Sequence, residues 1–201
     1  VVSGNTTRNI TVPAFPAYTV SGTVSNLSNI VGALSNTLDF DSQDGTAWGS
    51  LQLTSPSGAY TTQLPNGVYT ASLHSSQMMA FLQVVNLGQF TVNNAGVTAN
   101  FTVPALPAMA SLSGQVELTG IPMPDTAFMP ITTSLTQGPA NFRFNTFAPV
   151  NPGGDYAASV YSTWTYDLSI SLPLSDESAL VFPVPSRTLL VPGDTISDFL
   201  L

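Results

Sequence analysis

Three carboxylates stand close together in Asp39-Phe40-Asp41-Ser42-Gln43-Asp44-Gly45. A hard cation such as Ca2+ is held by several oxygens on a sharply turning loop, and Asp39, Asp41 and Asp44 ahead of a glycine can supply them. The spacing misses the regular Asp-x-Asp-x-Asp-Gly pattern by one residue, and no glutamate follows at the usual distance. An acidic β-turn accounts for the same residues, so calcium is a candidate and no other cofactor is implied. His74 is the sole histidine, and a Ser-His-Asp relay would have to pass through it. A solvent-facing position at the end of a strand, beside Ser75 and Ser76, explains it without catalysis. Glu117 and Glu177 are the only glutamates, and no spacing identifies an aspartate pair for glycoside hydrolysis. Gly153-Gly154 is no phosphate cradle, because it does not precede a helix. The chain has no cysteine, which removes thiolate metal sites and disulfides. Trp48 and Tyr161 are the aromatics expected to be exposed and able to stack on sugar rings. Trp164 and Tyr166 fall on an apolar parity and are expected in the core. The expectation is that the chain is not an enzyme.

The composition narrows the partners. Charged residues make up 7% of the 201 residues, against roughly 25% in an average soluble domain. There is no lysine. The cations are Arg8, Arg143 and Arg187, and the net charge is −8. A nucleic-acid partner requires many phosphates to be neutralised, which this chain cannot do. Anionic membrane surfaces are disfavoured for the same reason, and no apolar run approaches the ~20 residues of a membrane-spanning helix. The surface must be covered by Ser, Thr, Asn and Gln, as on secreted and cell-surface proteins. Four glycosylation sequons, at Asn5, Asn9, Asn26 and Asn100, point the same way. A Thr- and Asn-rich chain also makes such triplets by chance. The chain opens on Val with no signal peptide, so it is expected to be processed or cut from something longer.

These residues must be positioned by strands. Apolar and polar residues alternate with period two across 58–64, 67–74 and 156–172, no segment has a helical period, and 16 Pro with 15 Gly oppose long helices. Residues 57–73 read as a hairpin whose turn is Pro65-Asn66-Gly67. The chain also repeats. Thr11-Val12-Pro13-Ala14-Phe15-Pro16-Ala17 returns as Thr102-Val103-Pro104-Ala105-Leu106-Pro107-Ala108, and Ser21-Gly22-Thr23-Val24 as Ser113-Gly114-Gln115-Val116. Asn66–Leu73 is matched to Gly153–Val160 as a further anchor. A last strand, Val97, Ala99, Phe101 and Val103, has a counterpart in Thr195, Ser197, Phe199 and Leu201. Thr6, Arg8, Ile10 and Val12 form a third version at the N-terminus. The expected organisation is therefore a spare strand 1–12, a linker 13–17, a β-sandwich 18–103, a linker 104–108 and a second β-sandwich 109–201. The two Pro-Ala-x-Pro-Ala linkers are semi-rigid joints.

The run Ser57-Gly58-Ala59-Tyr60 through Leu64-Pro65-Asn66-Gly67-Val68-Tyr69-Thr70-Ala71-Ser72-Leu73, with Val20-Ser21-Gly22-Thr23-Val24 before it, resembles carboxypeptidase-regulatory-like modules. These are transthyretin-like sandwiches, close to the B-type repeats of surface adhesins. The resemblance implies an all-β chain of two tandem Ig-like or transthyretin-like sandwiches with an extra N-terminal strand. Such modules serve as spacers, stalks and accessory domains. Lysine–asparagine cross-links known in some adhesin relatives are excluded, because there is no lysine.

The spare strand admits three placements: the last strand of a preceding module, an extra edge on the first half, or pairing with a neighbouring subunit by strand addition. A chain with few charges blocks its edges poorly. The expected function is a structural subunit of an extracellular filament, stalk or surface layer that self-associates head to tail into a homopolymer. The alternative is a carbohydrate- or ligand-binding module of a larger secreted protein, with surface glycans as partners.

Overall fold

The computed structural model describes residues 15–77, 80–119, 122–173, 178–188, 195–196 and 199–200; of 184–188, 195–196 and 199–200 it describes the backbone alone. The chain is all-β. Its strands are β1 (Ala17–Ser25), β2 (Ala33–Ser42), β3 (Trp48–Gln52), β4 (Ala59–Pro65), β5 (Gly67–Gln77), β6 (Ala80–Val92), β7 (Val97–Thr98), β8 (Phe101–Thr102), β9 (Met109–Glu117), β10 (Phe128–Thr133), β11 (Phe142–Pro149), β12 (Asp155–Tyr161), β13 (Thr165–Pro173), β14 (Ala179–Thr188), β15 (Thr195–Ile196) and β16 (Phe199–Leu200). A 3-10 turn, Leu27–Asn29, follows β1. Among the described residues no helix is long and apolar enough to cross a membrane.

The strands form three sheets. One four-stranded sheet has β1 between β4 and the short pair β7 and β8, and the other has β9 between β12 and the pair β15 and β16. Between them runs one eight-stranded sheet in the order β14-β13-β10-β11-β6-β5-β2-β3. The first half contributes four adjacent strands of it and the second half the other four. They meet where β6 pairs antiparallel with β11, from Phe142 opposite Val84 to Thr146 opposite Ala80. The buried side chains of both halves form one contiguous cluster. In the first half Phe40 of β2 meets Tyr60 of β4 and Phe101 of β8, which ties the large sheet to the small one. In the second, Phe144 of β11 lies against Tyr161 and Tyr166.

Strand locations follow the alternation closely, but two pairings do not. Residues 57–73 are not a hairpin. β4 pairs with β1, whereas β5 pairs with β2 and β6, so Asn66 is a corner where the chain crosses from one sheet to another. Neither Asn66 nor Gly67 adopts positive φ, so the turn conformation their residue types permit is not used. The same crossing occurs at Ser162–Trp164, between β12 and β13, with Thr163 at φ 66°. The match of 66–73 to 153–160 is therefore out of register. β12 is the counterpart of β4, not of β5, because each pairs with the first strand of its half. The true equivalents are Gly58-Ala59-Tyr60 and Gly154-Asp155-Tyr156, with Tyr60 opposite Gly22 and Tyr156 opposite Gly114. Gly58 and Gly154 both have positive φ, and a Cβ at either would collide with a carbonyl oxygen, of Val24 or Val116. The N–H groups of Val24 and Val116 donate to the Gly58 and Gly154 carbonyls, each at 2.9 Å.

Candidate functional site

The feature common to both halves, and foreshadowed by the sequence repeat, is the slot beside the first strand. β1 and β9 correspond residue for residue, Ala17 to Met109 and Ser25 to Glu117. Each holds a partner antiparallel on one side and the last strand of its half parallel on the other. Val20 and Ser21 face Val97 and Thr98; Leu112 and Ser113 face Thr195 and Ile196. Val24 and Ser25 face Phe101 and Thr102; Val116 and Glu117 face Phe199 and Leu200. The equivalence of 97–102 and 195–200 is thus kept in the backbone register.

In the first half the slot is pinched. Gly22 has no side chain because a Cβ there would strike the Ala99 carbonyl oxygen. That oxygen accepts a 2.6 Å hydrogen bond from the Tyr60 hydroxyl, and burial holds the hydroxyl's pKa well above the ordinary tyrosine range. The Asn100 side-chain oxygen accepts from the Thr23 N–H at 3.0 Å and from its hydroxyl at 3.2 Å. The Ala99 N–H donates to Ser21 at 2.8 Å and the Val103 N–H to Ser25 at 3.0 Å. The Ser25 hydroxyl donates to the Phe101 carbonyl, and Asn29 donates to the carbonyls of Val103 and Pro104. The last strand is broken at Ala99–Asn100 to make these contacts, where the alternation suggests one continuous strand. The Ser-Gly-x-Val repeat was one signal for this arrangement; the Gly-x-Tyr units at 58–60 and 154–156 were a second, hidden by the match of 153–160 to 66–73. Their pairing across the sheet was not signalled.

The sequence candidates are scattered. Asp39 and Asp41 share one face of β2, with Asp41 exposed, while Asp44 lies in the turn beyond. Asp39 pairs with His74 of β5 at 3.2 Å. Asp44 accepts from the Thr46 hydroxyl at 2.8 Å and the Thr46 N–H at 3.1 Å, and these bonds hold its carboxyl below the usual range. Among the described residues no three metal-ligating side chains converge, so Asp39, Asp41 and Asp44 do not form a calcium triad; Asp39 and Asp44 are engaged with different neighbours. His74 is not at a strand end, because β5 continues to Gln77. It is half-buried, against the Phe81 ring and within 3.0 Å of the Gln83 amide. Its neighbours Ser75 and Ser76 are turned elsewhere. The Ser76 hydroxyl is bonded to that of Ser35 at 2.6 Å, and Ser75 points to the opposite face of the strand.

Trp48 is 76% exposed on β3, but Tyr161 is 1% exposed, contrary to expectation. Its ring lies 4.8 Å from Trp164 and 5.1 Å from Phe144, filling the corner between β12 and β13. Parity misled here because the chain changes sheets at Ser162. Trp164 and Tyr166 are buried as expected. Asn26 is exposed at φ 61° before the 3-10 turn, and Asn100 is exposed within the slot. Asn5 and Asn9, and the assembly-strand residues Thr6, Arg8, Ile10 and Val12, lie outside the described residues.

No family model matches the chain, and no curated protein matches it in sequence. Distant likenesses of broad coverage exist among solved structures. GBS52, the minor pilin of Streptococcus agalactiae, is 8% identical, with 91% of this chain and 94% of that one covered at a TM-score of 0.42. The fimbrial anchor protein Mfa2 of Porphyromonas gingivalis is 8% identical, with 91% of each chain covered at 0.39. A streptococcal ancillary pilin is 13% identical at 0.39, over 90% of this chain and 62% of its own length.

Proposed function

We propose that the chain is a non-enzymatic structural subunit of an extracellular filament, stalk or surface layer. It is built from two transthyretin-like sandwiches, 18–103 and 109–201, joined at 104–108. Copies assemble head to tail through the N-terminal segment 1–12. The observation that carries this reading is the slot: the same parallel register beside the first strand is used twice, by 97–102 and by 195–200. The sequence holds a third version of that strand in Thr6, Arg8, Ile10 and Val12, followed by the same Pro-Ala-x-Pro-Ala joint.

The repeat also suggests where the third version goes. Residues 97–102 precede the joint into β9 and lie beside β1, the first strand of the half before. By the same rule, residues 5–12 precede the joint into β1 and lie beside β9 of the preceding copy, in competition with its β15 and β16. Phe15 supports this. It is 74% exposed, whereas Leu106, its counterpart in the second joint, packs partly against the core. Leu106 has the first half beside it to pack against. The contact is heterologous and does not close, which yields a filament rather than a ring. Deleting residues 1–12 is expected to abolish polymers in negative-stain micrographs while leaving the folded monomer; unchanged polymers would sink the strand-joining claim.

Exposed Trp48 favours a second reading, a glycan-binding module. Binding on a glycan array that is lost in Trp48→Ala, from a chain that stays monomeric, would replace the first reading with it.

A further inference from the structure

We infer that each half is built to carry tension along the chain. The first and last strands of a half are neighbours, and they run parallel. Parallel neighbours put the chain's entry and exit at opposite ends of the pair. In the first half the chain enters at Ala17 and leaves after Thr102, with β1 extending about 30 Å at ~3.3 Å per residue. Pulling the two ends apart slides β1 and the last strand past each other. Inter-strand hydrogen bonds run across the strands, so sliding loads all of them together rather than one at a time. An antiparallel pair entered and left at one end would instead peel open bond by bond.

The bonds that resist sliding are concentrated in this one seam. They include Ala99 N–H to Ser21, Val103 N–H to Ser25 and Thr23 to the Asn100 side chain, and Tyr60 of β4, opposite Gly22, adds a bond to the Ala99 carbonyl. Gly22 and the break at Ala99–Asn100 interlock: the Ala99 carbonyl sits in the notch left by the missing side chain, a steric stop to translation as well as a hydrogen-bonded one. The second half repeats the parallel register, so both halves stand in series under the same kind of load. The β6–β11 pairing ties them sideways. Its use in a filament rests on the function proposed above, but the resistance is a property of one chain.

The absence of native cysteine makes the test direct, because introduced thiols are the sole attachment points. Two double variants of the full chain are pulled in optical tweezers at the same loading rate, after a thermal melt confirms that each is folded. Ala17→Cys with Ala105→Cys loads the seam in shear. Ala17→Cys with Ala95→Cys pulls at the two neighbouring starts of β1 and β7 and peels it. All three positions are exposed. The expected result is a rupture force several-fold higher for the 17/105 pair, falling towards the 17/95 value when Asn100→Ala is added. Equal forces in the two geometries of the otherwise unaltered chain overturn the inference. Polymers with equal forces would keep the filament and discard the clamp; a monomer that resists shear would do the reverse.

Discussion

β6 and β14 hold equivalent places, each the outermost of the four strands its half gives to the eight-stranded sheet. One is inside the molecule and the other is at its edge. β6 reads Ala-Phe-Leu-Gln-Val-Val-Asn-Leu-Gly-Gln-Phe-Thr-Val, with every N–H available, and Val85 beside the junction donates to Asn141 at 2.9 Å. β14 reads Ala-Leu-Val-Phe-Pro-Val-Pro-Ser-Arg-Thr. Pro183 sits opposite Ser169 of β13, and a proline, which cannot donate to the ladder, is tolerated on such an outermost strand. Pro185 follows two residues on. Leu180 and Val181 remain 47% and 59% exposed, but at Pro183 and Pro185 the strand has no N–H to offer a further strand. The sheet continues through β6, where every residue has an N–H, and its β14 end carries two positions without one.

The largest effect should come from the inner edge. Phe144 of β11 is fully buried, opposite Leu82 of β6 and against Tyr161 and Tyr166. Phe144→Ala is expected to cost about 3–5 kcal/mol in urea unfolding. Because the strand joins the halves, wild type should unfold in one transition; two separated transitions would show that β6–β11 pairing does not couple them. Placing the edge residue inside comes next. Gln83→Pro in β6 should cost at least the ~1–3 kcal/mol of an unpaired buried backbone group, whereas Gln83→Val should cost far less. Equal losses would remove the argument from proline's missing donor.

Tyr60→Phe takes away the bond to Ala99 and is expected to lower stability by about 1 kcal/mol, with a larger fractional drop in shear resistance than in thermal stability. The converse change at the outer edge, Pro183→Val with Pro185→Val, should alter the monomer's stability by less than about 1 kcal/mol, as surface substitutions do. It should instead promote concentration-dependent association, read by sedimentation; a strictly monomeric variant would show that the prolines do not guard the edge. The smallest effect is expected on the outer face of the same sheet. Asp39→Asn breaks a partly exposed pair with His74 and should cost no more than about 1 kcal/mol.

Much of the fold was legible beforehand. Alternation at 58–64, 67–74 and 156–172 located β4, β5, β12 and β13, because a strand with one buried face writes its period directly into the chain. The repeats at 21–24 and 97–103 marked the two segments that form the slot, but not that they lie side by side. The hairpin read at 57–73 failed because a turn within a sheet and a corner between sheets draw on the same residue types. Tyr161 failed with it, since parity carries over a turn but not over a change of sheet. The acidic loop failed because carboxylates near in sequence need not converge in space.

Composition, the location of strands by their alternation, and the exclusion of lysine and cysteine chemistry were thus determined by the sequence alone, being local or countable properties. Which strands are neighbours was decided only in three dimensions. The parallel seam between β1 and 97–102, and the β6–β11 join that turns two repeats into one sheet, are contacts between residues roughly 60 to 80 positions apart. Period-two patterns say which face of a strand is buried. They do not say beside which strand it lies, because every edge offers the same backbone hydrogen bonds and only side-chain packing and prolines choose among them.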